Sequence, residues 1–172
     1  MTIVIVALSL LTMQSPPPAA IVPAPHMRPQ GVRSQDILND AVRRSPTVAS
    51  LVNMVERSPL IVFIELAYDR EDLVGRTTIL AANDIARLLH IQLNGKLSAD
   101  RLIEVLGHEL QHVAEIGRSP EIRDEWSLGR VYTQLGFEME RGHFETDAAR
   151  QTELQVHTEL KLERAARRVK GK

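Results

Sequence analysis

Five consecutive residues, His108-Glu109-Leu110-Gln111-His112, bring together the groups needed for metal-assisted hydrolysis. On an α-helix, two histidines four positions apart lie about 40° apart around the axis and roughly 6 Å apart along it, so both imidazoles can converge on one ion. Glu109 projects beside them. A carboxylate placed there can accept a proton from water acidified by Zn2+, the arrangement used to hydrolyse amides. The surroundings suit such a helix: Val105-Leu106-Gly107 precede the motif, Val113-Ala114 follow it, and no proline interrupts it. Gly107 also reads as a packing contact with another helix.

A third ligand must come from elsewhere. Glu115 shares the face of the two histidines but lies about 7.5 Å along the axis from their midpoint, which suits an outer carboxylate or a solvated one better than a ligand. Glu138, Glu140, His143, Glu145 and Asp147 lie where the chain can return to the site. Glu145 is the preferred candidate. Placed on the last helix it continues the apolar stripe Ala149, Val156, Leu160, where an acid is costly unless it is paired or bound to metal. His143 is the alternative ligand, and it, Tyr132 or Tyr68 could instead donate to a developing oxyanion. His90, inside an apolar segment, reads as a structural histidine, and His157 as one on a solvated helix face.

The elements that must position these groups follow from the punctuation of the chain. Ser34 caps a helix through Arg44, and Ser45-Pro46 opens a second running to about Arg57. Leu60 to Ala67, Arg76 to Ala81 and Leu88 to Leu93 are candidate strands of a short three-stranded sheet ended by Asn94-Gly95. Ser98 caps the long motif helix, Ala99 to about Ile116, which Gly117 closes. Two further helices are expected, one from Ser119-Pro120 to near Gly136 and one from about Thr146 to Arg168. The fold class is therefore α+β, with a domain over residues 33–172.

Residues 1–32 are expected to lie outside it. Ile3 to Leu11 is an apolar run too short to cross a bilayer as a helix, so no stable membrane anchor is expected, and a Pro-rich linker follows it. The run has the length of a signal peptide, which would make the protein secreted or periplasmic. With Met13 or Met27 as the first residue it would be cytoplasmic.

Composition narrows the function classes. With 21 basic against 22 acidic residues there is no global field that favours nucleic acid, and at 3% aromatics base stacking is not expected. The basic cluster Arg164, Arg167, Arg168, Lys170 and Lys172 suits the end of a helix, where it opposes the dipole. The chain has no cysteine, which excludes disulfides and thiolate zinc sites.

Val105 to Ala114 resembles the extended helix motif of the zincin metallopeptidases. The segment from about Arg101 is similar to small bacterial proteins with an HELQH helix, as is Phe144 to Ala149 to their later glutamate segment. Glu115 stands three residues after His112 where a metzincin has glycine, so the resemblance points to the gluzincin type. It implies a small zincin-like domain in which His108, His112 and Glu145 bind one Zn2+ and leave a position for water. It also implies Glu109 as the base, a peptide or protein as substrate, and an edge strand holding that peptide beside the metal helix. Leu60 to Ala67 or Leu88 to Leu93 are the candidates for that strand, unless both are simply core. A catalytically silent module with the same scaffold is the other reading.

Overall fold

The computed structural model describes residues 25–135, 137–139 and 143–170. In chain order the elements are β1 (Met27–Pro29), α1 (Val32–Arg44), α2 (Pro46–Glu56), β2 (Leu60–Ala67), β3 (Gly75–Ala82), β4 (Arg87–Asn94), α3 (Ala99–Arg118), α4 (Glu125–Leu135), β5 (Phe137–Met139), β6 (His143–Glu145) and α5 (Asp147–Lys170). The fold is mixed α+β, with five helices and a four-stranded sheet in the order β1-β2-β4-β3. β5 and β6 form a separate antiparallel pair.

β1, β2 and β4 run parallel, and β3 closes the sheet antiparallel to β4. The alternation of β2 and β4 sets which face is covered: Leu60, Val62 and Ile64 are buried together with Leu89, Ile91 and Leu93. Registry pairs Thr77 with Ile91, so Thr77 faces the same side. α3 packs over this face and touches β3, β4, α1, α2 and α5. Its central position explains why Leu102, Ile103, Leu106, Leu110 and Val113 are all fully buried. At Gly107 a methyl group would meet Val156 Cγ2 at 2.8 Å, so glycine lets α5 cross α3 closely and carry its first turn to the motif.

The end of α3 is held by a residue that composition does not announce. Arg87, at the start of β4, is buried and donates from Nη1 to the carbonyls of Ile116 (2.6 Å), Ser119 (2.8 Å) and Ile122 (3.3 Å), and from Nη2 to that of Gly117 (3.2 Å). These include carbonyls a helix terminus leaves without partners. Ile116 and Ser119 also accept from the N–H groups of Ser119 and Ile122, so Arg87→Met should strip the side-chain donor from the Gly117 and Ile122 carbonyls above all and cost about 3 kcal/mol. At roughly 2–4 °C per kcal/mol for a chain of this size, thermal melts should show Tm falling by about 6–12 °C.

Several expectations are corrected. The segment expected to be linker up to residue 32 contributes the edge strand β1, with Met27 only 4% exposed, so the sheet has four strands and not three. Ser34 is not a cap; it lies buried inside α1, which begins after Gly31 at φ 84. Gly117 lies within α3, whose C-cap is Ser119. The Ser119-Pro120 pair starts no helix. Arg87 claims the Ser119 carbonyl, and α4 begins at Glu125 behind a cap in which Asp124 Oδ1 accepts from Ser127 N–H at 2.7 Å. Leu60–Ala67 and Leu88–Leu93 are interior strands; the edge beside the motif helix is β3.

Candidate metal centre

His108 and His112 occupy adjacent turns of α3, and their Nε2 atoms face each other at 3.2 Å. Glu145 Oε1 lies 3.3 Å from His108 Nε2. One ligand atom from each of these three residues lies within 4.8 Å of the others, so the chain brings together a triad able to hold a metal ion.

Each imidazole is turned by a second carboxylate. His112 Nδ1 is 3.1 Å from Glu115 Oε2, and His108 Nδ1 is 3.0 Å from Glu153 Oε2. A carboxylate on Nδ1 favours the proton there and leaves Nε2 with its lone pair, the tautomer of a metal-ligating histidine. Glu115 is itself fixed, accepting from Tyr132 OH at 2.8 Å and from Thr146 Oγ1 at 2.8 Å. Burial pushes the Glu115 carboxyl up, but His112, Thr146 and Tyr132 outweigh it and hold it below its ordinary value. Burial, and then the charge of Glu115, push the Tyr132 phenol up. At His108 burial lowers the pKa, and Glu153, Glu109 and Glu145 together raise it above the ordinary histidine value.

These tautomers leave two lone pairs opposed at 3.2 Å beside a carboxylate oxygen. Glu145 Oε1 is buried with no hydrogen-bond donor among the described residues. Three electron-rich atoms repel one another unless a proton or a metal cation stands among them. For tetrahedral Zn2+ with bonds near 2.0–2.1 Å, ligand atoms are about 3.3 Å apart. The two nearest separations are close to that edge, and all three atoms lie within 4.8 Å of one another, so the donor set can hold a metal ion.

Glu109 sits on the neighbouring face of α3, only 5% exposed, where Oε2 accepts from Thr77 Oγ1 at 2.7 Å. Burial pushes its carboxyl above the ordinary glutamate value, against the opposing pull of His112, Thr77 and His108. Gly75 is required here: a methyl group on it would lie 2.6 Å from Glu109 Oε1 and 2.5 Å from Val105 Cγ1.

Glu145 reaches the histidines by a route other than the expected one. It ends β6 and precedes α5, so it is not part of the Ala149, Val156, Leu160 stripe. Thr146 is the cap of α5: its hydroxyl accepts from Ala149 N–H at 3.1 Å while donating to Glu115, which anchors the adjoining residue over α3. The acid on the stripe is Glu153. Four residues after Ala149 and three before Val156, it shares their helical period, which is the signal that could have found it, and it stands 3.0 Å from His108 Nδ1. Arg101 holds Glu153 and the buried Glu104, and His157 Nδ1 lies 2.6 Å from Glu104 Oε1, so His157 is not simply solvated.

The other candidates lie elsewhere. The side chains of Glu138, Glu140 and His143 fall outside the described residues. Asp147 is 74% exposed beside Arg150. Tyr132 points behind His112, at its Nδ1 edge, and Tyr68 packs on Gly95 beneath Arg33, so neither stands where an oxyanion donor is needed. His90 pairs with Glu65 at 3.1 Å on the sheet face turned away from α3.

The Glu153 pair predicts a pH dependence in metal-free protein. The close approach of His108 Nδ1 at 3.0 Å, opposed by burial and aided by Arg101, pulls the Glu153 carboxyl from 4.5 to about 2. A folded value below the unfolded one stabilises fully above pH 4.5, and the contribution disappears as pH falls through about 2. Thermal melts of chelator-treated protein between pH 6 and pH 2.5 should therefore decline more steeply for the parent than for Glu153→Gln. Comparison with known proteins finds no match to this chain among family models, curated sequences or solved structures.

Proposed function

We propose that this domain is a zinc-dependent hydrolase of peptide bonds, of gluzincin type, with His108, His112 and Glu145 as metal ligands and Glu109 as general base. The observation that carries the reading is the convergence of two imidazole Nε2 atoms and a buried carboxylate oxygen without a donor, all within 4.8 Å of one another. Zinc bound to such a set lowers the pKa of water towards neutrality and polarises a carbonyl.

The chain's own residues supply the remaining chemistry. Glu109 takes a proton from the attacking water and returns it to the leaving amine, and its raised pKa brings this base nearer the operating pH. Thr77 fixes one oxygen of that carboxylate, and Gly75 leaves room for the other. Glu115 and Glu153 keep both imidazoles oriented. The β3 edge alongside offers main-chain groups to an extended peptide.

The test is zinc content of the purified chain together with cleavage of unfolded casein, with and without a chelator. Cleavage that stops on chelation and returns with zinc is the expected result. A second reading, a silent metal-binding module, is favoured by the enclosure of Glu109 at 5% exposure. Bound zinc without cleavage of casein or of a varied peptide library would establish it in place of the hydrolase.

A further inference from the structure

The outward groups of the β3 edge can be read from its pairing. Asn94 N–H donates to the Val74 carbonyl at 3.0 Å, and the register then pairs Arg76 with Gln92 and Thr78 with His90. Hydrogen-bonded pairs alternate in an antiparallel ladder, so Val74, Arg76 and Thr78 bond to β4, while Gly75, Thr77 and Ile79 point their main-chain groups outwards. Those of Gly75 and Thr77 carry no hydrogen bond among the described residues, and both residues lie against Glu109.

The next outward donor is occupied. Ile79 N–H donates to Glu125 Oε1 at 3.0 Å. Glu125 is the first residue of α4, and the cap between Asp124 and Ser127 holds it at that point. Its carboxylate therefore stands where the carbonyl oxygen of an added strand would have to be. The register of β3 also breaks between Ile79 and Ala81, so the edge loses its regular spacing just beyond.

Resting on the hydrolase reading above, we infer that Glu125 ends the peptide-binding edge and receives the free α-amino group of the substrate. The domain then removes one or two residues from the amino terminus of a peptide. Antiparallel pairing is the stronger mode and places the amino end of a bound peptide at the Ile79 end of β3. Two residues of strand, about 7 Å, separate Ile79 from Thr77 and hence from Glu109, which leaves space for one or two residues before the carboxylate. An ammonium group meets Glu125 in a charge-assisted hydrogen bond, whereas an N-acetyl group sets a carbonyl oxygen against it.

The experiment compares one peptide sequence with a free and with an acetylated amino terminus, on the zinc-loaded full chain and its Glu125→Gln variant. Turnover is measured on both proteins. Binding is measured separately on Glu109→Gln and on Glu109→Gln/Glu125→Gln, by titration of backbone amide resonances. Acetylation should lower kcat/KM and binding by about tenfold or more in proteins that keep Glu125. Glu125→Gln should bring both ratios close to one and let the acetylated peptide be cut. Equal handling of the two peptides by Glu125-containing protein, an unchanged ratio in Glu125→Gln, or no binding of either peptide overturns the inference. Discrimination in binding with no turnover in any protein would sink the hydrolase reading alone and leave the role of Glu125 standing.

Discussion

Glu109→Gln should lower peptide hydrolysis on the order of 10³-fold, the range in which a positioned general base contributes, and leave zinc content unchanged. The substitution is close to isosteric, and the environment of Glu109 explains why folding should survive it. Thr77 Oγ1 can still donate to the amide oxygen. Burial already disfavours the charged carboxylate, so a neutral amide removes the cost of burying that charge. No ligand atom of the triad belongs to Glu109. Turnover assayed beside zinc content and a thermal melt separates the outcomes: activity near that of the parent would remove Glu109 from the mechanism, and loss of zinc would show it to be holding the site together.

The residues that place Glu109 show what local pattern reveals and what it does not. The motif helix and its cap Ser98 were legible, because a Ser cap, an apolar period and the HExxH spacing all act within a few residues. So were Ser45-Pro46 at the start of α2 and the apolar runs of β2 and β4. β1 was not, since three residues carry no period and Met27 gains its burial only in the folded core, beside β2, α1 and α2. The false start at Ser119-Pro120 has the same origin: the competing partner, Arg87, is 32 residues away. Thr77 becomes part of the site through strand register alone.

Glu145 is the instructive case. The residue was chosen on a helical stripe that it does not join, while its position at the histidines comes from Thr146, whose hydroxyl links the cap of α5 to Glu115. The stripe argument was sound chemistry applied about two turns too early, because the acid on that face is Glu153, and an acid there is indeed paired. Periodicity can say that a buried carboxylate needs a partner. It cannot say whether that partner is a histidine edge or a cation.

Zinc should make that distinction thermodynamically. Zinc at about 1,000 times its Kd stabilises the folded chain by about 4 kcal/mol, which at roughly 2–4 °C per kcal/mol corresponds to a rise in Tm of about 8–16 °C. In metal-free protein held at a pH above the raised His108 pKa, where that imidazole is neutral, the Glu145 oxygen is buried without a donor 3.3 Å from His108 Nε2, so it is a cost to the fold. Glu145→Ala should therefore leave the metal-free Tm unchanged or raise it, yet remove most of the gain from zinc. His112→Ala should also lose that gain, while His90→Ala, on the far face of the sheet, should keep it. The two signs together are diagnostic: a Glu145 that served only packing would lower the metal-free Tm when truncated and leave the zinc response intact, and that pattern in calorimetry would take Glu145 out of the ligand set.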